Sequence, residues 1–307
     1  MTTRRSFFGK AGLGLAALAT GPALLSGCST VSGAHAKKAA ACTGYTSGKV
    51  PFQLGMAGYT LHKFDLDQSL QMLKQVDVRN LCIKDFHLPL KSNAAEISAF
   101  KEKCKRFNVT GYGVGPIYMS SEKEAKDAFE YAKRIGVKVM VAVPFEMATI
   151  NGKQRRKSSR KLCEYVSKLC ETYDIRYAIH NHGPDIPELF PTAKSSYDMV
   201  KDLDPRMGLC MDIGHEYRSG ADPIASAYLY KDRLFDLHLK NVTENTKRGA
   251  ATPLPRGKID LAALVKALCD INYTGMCSLE YERDMSDPIV GIAECIGYFR
   301  GLMDSVR

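Results

Sequence analysis

The 307-residue chain has no tryptophan, no two cysteines at CxxC spacing, and no GxGxxG after its first strand-like run. The missing indoles remove the largest platforms on which sugar rings stack, which weighs against a glycoside hydrolase. The missing CxxC pairs argue against a thiolate metal site. Without a glycine-rich first turn, a dinucleotide-binding doubly wound sheet is disfavoured. Past the N-terminus no uncharged apolar run is long enough to span a bilayer, so a polytopic membrane protein is excluded. No repeat of solenoid period is present. With 45% hydrophobic and 25% charged residues, the chain is also unlike long disordered, collagenous or coiled-coil sequences.

Residues 1–27 contain no acid. They begin Thr3-Arg4-Arg5-Ser6-Phe7-Phe8-Gly9-Lys10, which resembles a twin-arginine (Tat) export signal, and continue through an uncharged stretch from 11 to 25. Leu25-Ser26-Gly27-Cys28 then resembles a lipobox. These signals imply a removed leader over 1–27 and a lipidated Cys28. They also imply export by the Tat route to a membrane-anchored, periplasmic position. Residues 28–50, rich in small and polar types, read as the anchor and a flexible tether. Taking Arg4, Arg5 and Lys10 from the formal charge of +10 leaves +7. That charge is spread along the chain and does not point to nucleic acid. Beyond Cys28 nine cysteines remain, an odd number; eight are set in strand-like or helix-like runs and Cys42 lies in the tether. They read as small core hydrophobes, without a disulfide framework.

From residue 51 to 307, short β-rich runs alternate with amphipathic ones. Strand-like runs fall at 52–57, 80–85, 109–114, 137–143, 175–180, 207–212, 234–239 and 276–281. Helix-like runs fall at 67–76, 94–107, 122–135, 158–172, 194–203, 222–230, 261–270 and 290–303. Phe129, Ala132 and Ile135 keep the spacing of one buried helix face. Eight such units predict an α/β fold, a single-domain (β/α)8 TIM barrel, whose chemistry belongs at the C-terminal ends of the strands.

The strand ends carry the chemistry-bearing residues. The second run ends near Lys84, the fourth at Glu146, the fifth at His180-Asn181-His182 and the sixth at Asp212-Ile213-Gly214-His215. The seventh reads Asp236-Leu237-His238-Leu239-Lys240, and the eighth Ser278-Leu279-Glu280-Tyr281-Glu282. Because strand side chains alternate, His180 and His182 share a face, as do Asp236, His238 and Lys240, and Ser278, Glu280 and Glu282. Mixed carboxylate and imidazole ligation suits one divalent ion of the Mn, Co, Mg or Zn kind. The blander readings are a solvated Glu146, a turn-holding His182 and a loop-bracing His215. The basic run 153–160, KQRRKSSR, reads as a solvated helix start.

HNHG at 180–183, MDIGH at 211–215, DLHLKN at 236–241 and RGKIDLAALVKAL…INYTGMCSLEYE at 256–282 together resemble the xylose-isomerase-like TIM-barrel superfamily. Its members include sugar isomerases, ketose 3-epimerases and inosose dehydratases. The resemblance covers roughly 52–303 and implies one divalent ion, carried over here onto Asp212, His238 and Glu280. The epimerases place a glutamate where this chain has His180-Asn181-His182. Glu146 is therefore expected as the fourth ligand, with His182 beside the metal or binding instead. The implied activity is isomerase/epimerase or hydratase/dehydratase chemistry on a non-phosphorylated keto-sugar or related carbohydrate. The metal would stabilise an enediolate, with Glu146, His182 and Glu280 catalytic. Lys84, His180, His215, Lys240 and Glu282 would contact substrate. Two alternatives are a metal-free glycoside hydrolase using Glu146 and Glu280, and a non-catalytic sugar-binding lipoprotein. A repair nuclease of the same superfamily would need more histidine ligands than seven histidines readily supply. No nucleic-acid partner is expected.

Overall fold

The computed structural model describes residues 48–306. The expected leader, the Cys28 anchor and most of the tether lie outside these residues. Parallel strands β1 (Gln53–Ala57), β2 (Asn80–Ile83), β3 (Thr110–Met119), β4 (Val139–Ile150), β6 (Arg176–His180), β7 (Met207–Asp212), β8 (Leu234–Leu239) and β9 (Met276–Leu279) form one ring. It closes through β1–β9 pairing, Gln53 opposite Met276, and through β3–β4 pairing. This is the expected (β/α)8 barrel.

Helices α1 (Leu66–Gln75), α2 (Ala94–Arg106), α3 (Glu122–Ile135), α4 (Arg160–Tyr173), α5 (Ala193–Val200), α6 (Ile213–Arg218), α7 (Pro223–Leu229), α8 (Leu261–Asp270) and α9 (Ile289–Ser305) fill the connections and the C-terminal end. Helix α3 shows why the local sequence folds so. The Ser121 side chain accepts from the Glu124 N–H at its start, and Gly136 takes φ +82° at its end. Phe129, Ala132 and Ile135 are buried between these caps. Truncating the fully buried Phe129 to alanine would cost about 3–5 kcal/mol. No helix of the described residues is long and apolar enough to cross a membrane.

Three local departures from the sequence reading shape the site. Strand β3 runs past 114 to Met119, with a register shift between Val114 and Ile117. Gly115 sits there at φ +129°, and a Cβ on it would meet the Val141 carbonyl oxygen at 2.0 Å. Only glycine fits. Strand β4 likewise leaves the barrel and runs to Ile150. It pairs antiparallel with β5 (Lys153–Ser158), Phe145 opposite Ser158 and Ile150 opposite Lys153. The basic run is therefore, over Lys153–Ser158, a strand of a two-stranded arm, and only Ser159 and Arg160 belong to the start of α4. Finally, α6 follows β7 directly, capped by Asp212.

The barrel interior has a readable parity. Cys82, Val141, Ala178 and Cys210 form an inner cluster, one residue from each of four strands. Side chains two positions further along point inward at the next level up. That level holds Lys84, Val143, His180 and Asp212.

Candidate metal-binding site and cavity

His180, Asp212, His238 and Glu280 are all buried, and one ligand atom of each lies within 4.8 Å of every other. They stand at the C-terminal ends of adjacent strands, as the barrel predicts. His180 Nε2 lies 3.1 Å from His238 Nδ1 and 3.8 Å from Glu280 Oε2. His238 Nδ1 is 3.3 Å from the same carboxylate oxygen. Asp212 Oδ2 is 3.9 Å from His180 Nε2.

Asp212 is fixed twice. Its Oδ1 accepts the His215 N–H at 2.8 Å, capping α6. Its own N–H donates to Asn181 Oδ1 at 2.8 Å, while Asn181 Nδ2 donates to the Asp212 carbonyl at 3.2 Å. Asn181 thus ties the end of β6 to the end of β7. The sequence reading quoted this asparagine and gave it no role.

Lys240 lies among the carboxylates, 3% exposed. Its Nζ is 2.9 Å from Asp212 Oδ2, 3.0 Å from Glu280 Oε2 and 3.0 Å from Glu282 Oε2. A Cβ on Gly214 would approach Lys240 Cγ to 2.8 Å, so the bare glycine makes room for the stem. Burial works against the ammonium, but the three carboxylates outweigh it and hold Lys240 well above its ordinary range. Burial likewise pushes the carboxyls up, yet Lys240 prevails. It holds Asp212 below, and Glu280 well below, the usual values.

A cavity of about 290 Å³ opens onto this group, with Tyr59, Lys84, Tyr118, His182, His215 and Glu282 in its wall. Burial holds His182 well below 6.5 and His215 down at about 3, so both imidazoles are neutral. The Tyr118 hydroxyl hydrogen-bonds His182 Nε2. Burial raises that phenol to about 12, so it stays protonated and donates. His182 Nδ1 sits 3.2 Å from the His180 carbonyl and takes the proton that this acceptor requires. Lys84 Nζ donates to the Pro116 carbonyl at 2.8 Å and pairs with Asp85 at 2.9 Å.

The structure brings together Asp212, His238, Glu280, His180, His182, His215, Lys84, Lys240 and Glu282. Glu146 is the exception, and its expected roles as ligand and catalyst are corrected. Val141 points inward, so Glu146, an odd number of residues further along β4, has outward parity. It lies exposed on the arm opposite Lys157, accepts from Ser159 Oγ at 3.3 Å, and does not line the cavity. His180, expected to touch substrate, is the fourth member of the buried His/Asp/Glu group. The metal-free hydrolase reading thereby loses one of its two carboxylates.

The cysteines are free among the described residues. Cys210 also falls in a group with His180 and His238 one level deeper, a juxtaposition the sequence reading did not anticipate. Burial pushes its thiol up, away from thiolate.

Comparison with known proteins agrees with this geometry. A family model described as a xylose isomerase-like TIM barrel matches residues 76–301. The rhizopine catabolism protein MocC of Rhizobium meliloti is 25% identical over 150 residues, covering 44% of this chain and 45% of that protein. An inosose isomerase of Bacillus subtilis (strain 168) is 28% identical over 168 residues, covering 52% and 59%. The chain spans about half the length of the curated relatives it matches. Among solved structures, the IOLI protein with a bound zinc atom superposes with TM-score 0.61 at 19% identity, covering 83% of this chain and 98% of that one. D-psicose 3-epimerase from Clostridium cellulolyticum H10 gives TM-score 0.63 at 16% identity, covering 82% and 100%. At these identities the structural likeness speaks for the fold alone.

Proposed function

Because the chain belongs to the xylose isomerase-like TIM barrel family, we propose that it is an isomerase, epimerase or dehydratase acting beside the carbonyl of a non-phosphorylated carbohydrate, with one divalent metal ion. The observation that carries this reading is the convergence of His180, Asp212, His238 and Glu280 at the floor of the cavity. Two imidazoles and two carboxylates suit Mn, Fe, Co or Zn better than an all-oxygen shell would. The inosose isomerase and dehydratase among the relatives, and the zinc atom in the IOLI structure, support it. Such an ion, when bound, supplies Lewis-acid polarisation of a carbonyl and its neighbouring hydroxyl.

The remaining work falls to the chain itself. The Tyr118 hydroxyl, donating to the Nε2 of the neutral His182, can pass its proton to that imidazole as its oxygen takes one from the substrate, and the reverse path returns it. Lys240 and Lys84 present cations to oxygens on which negative charge grows. Asn181 keeps Asp212 in place.

The test is elemental analysis of the purified chain before and after chelation, followed by proton-exchange assays on keto-sugars. About one transition-metal ion per chain is expected from a single four-donor site. No metal, even after reconstitution, would overturn the assignment.

We also propose that the protein is exported and anchored through Cys28, on the twin-arginine and lipobox residues alone. Cys28→Ala should move it from the membrane fraction to the soluble one. Unchanged fractionation would refute the anchor.

A further inference from the structure

The basic run 153–160 found no use in the proposed reaction, and its place in the fold gives it one. On the arm, Arg156 lies opposite Met147, and Phe145 and Met147 share its face because directly paired and alternate residues point the same way. The Arg156 guanidinium sits 5.1 Å from the Phe145 ring and 5.1 Å from the Tyr118 ring. Tyr118 is a wall of the cavity, and its hydroxyl holds His182. The cation therefore lies over two aromatic rings, one of which also lines the cavity.

Its neighbours face carboxylates and it does not. Arg155 pairs with Glu188 at 3.5 Å, and Lys157 faces Glu146 across the arm without an ion pair between them. Among the described residues no carboxylate or hydrogen-bond acceptor meets the Arg156 guanidinium. Stacking uses the faces of the fork and leaves its N–H edges free.

The charge balance of the cavity points the same way. The carboxylates of Asp212, Glu280 and Glu282 are paired with the Lys240 ammonium at 2.9–3.0 Å. Lys84 is balanced by Asp85 at 2.9 Å. Arg156, by contrast, has no ion-pair partner among the described residues.

We propose that the substrate is a sugar acid, whose carboxylate is received by the edge of Arg156 while its carbonyl end enters the cavity. A planar fork matches a carboxylate bidentately, which gives both affinity and orientation. The proposal rests on the carbohydrate reading above and names the substrate class within it. Arg156 is a specificity-determining residue in it. The proton-moving groups are others.

The experiment is calorimetric titration of the full chain with matched pairs of acid and neutral sugar: glucuronate and glucose, galacturonate and galactose, gluconate and sorbitol. In the wild type at least one acid should bind about tenfold or more tightly than its partner, the scale of a charge-assisted pair. Arg156→Met should bring that pair to parity while leaving the neutral member unchanged. Arg156→Lys should recover only part, since a point charge lacks the fork. Two outcomes overturn the proposal: no preference for the acid in any pair, or a preference that survives in Arg156→Met. Metal content measured on the same samples separates this result from the fate of the proposed function. A metal-free protein that still prefers the acid through Arg156 would keep the inference and sink the metal.

Discussion

Replacing Lys240 by methionine tests the electrostatic core of the site. The substitution keeps an unbranched stem of similar length in the space that Gly214 leaves and deletes the ammonium. Three carboxylate oxygens at 2.9–3.0 Å then lose their cation, and two of them, on Asp212 and Glu280, are buried. Removing one partner of a buried ion pair costs about 3–5 kcal/mol, because the other charge is left uncompensated. For a domain of this size each kcal/mol shifts Tm by about 2–4 °C. In chelator the variant should therefore melt about 6–20 °C below wild type. The same oxygens are the proposed ligands, so a divalent cation should restore the loss. The stabilisation on adding Mn or Zn, read as the shift in melting temperature by calorimetry, should be larger for Lys240→Met than for wild type. Equal stability in chelator would show that Lys240 is not the counter-ion of the carboxylates. Equal stabilisation by metal would show that ammonium and metal do not share those oxygens.

Glu280→Gln should lose bound metal and turnover together, and metal retained at full stoichiometry would remove Glu280 from the ligand set. Glu146→Gln, by contrast, should leave metal content unchanged because Glu146 faces outward on the arm; a depleted variant would reinstate it as a ligand. His182→Ala should keep its metal while turnover falls about 10²–10⁴-fold, the scale of a general acid–base group, and full turnover would reduce His182 to a structural part. Outside the site, burial holds His87 at about 4, against about 6.5 unfolded. The unfolded chain takes up this proton first, so stability is intact above pH 6.5 and falls as pH drops toward 4. At pH 5 this one residue costs about 2 kcal/mol. Urea midpoints at pH 7 and pH 5 should differ less in His87→Gln than in wild type, and an equal difference would clear His87 of the acid sensitivity.

The last four strand ends were legible because their runs mix polar and apolar residues. Alternation alone put His180, Asp212, His238 and Glu280 on inward faces, since each follows an inward small or polar residue by two. The fourth run hid its parity. From Val139 to Pro144 every residue is apolar, because both faces of that strand are buried, so nothing in the pattern said which way Glu146 would point. The third run stopped too early at a Gly-Pro that reads as a break but is a bulge inside a continuing strand. Tyr118 lies beyond it, and with it the contact to His182 went unseen. Arg156 was equally out of reach. Only the antiparallel return of the arm, which no periodicity announced, brings it over a ring that lines the cavity. Helix α6 was missed for a related reason, since its first residues belong to a motif that reads as a loop of functional residues.

The exchange of a carboxylate for His180 has a consequence that joins these points. The resemblance implies a glutamate at this place in the epimerases, beside which a divalent ion would face one more negative charge. Here an imidazole, kept below its ordinary value by burial, removes that charge. Lys240 adds a positive one within hydrogen-bonding distance of two ligand carboxylates. A site shifted toward positive charge in this way holds an anion better and stabilises negative charge developing on a substrate oxygen more strongly. It also loses the second carboxylate that a symmetric two-base proton transfer would use. In the proposed function the neutral His182–Tyr118 pair on the cavity wall serves that side of the chemistry. It suits one-sided proton removal and return, as dehydration requires, better than inversion at a carbon. The exposed arm, the buried lysine and the substituted histidine thus all bias one cavity toward an anionic substrate and an acid–base pair on one face.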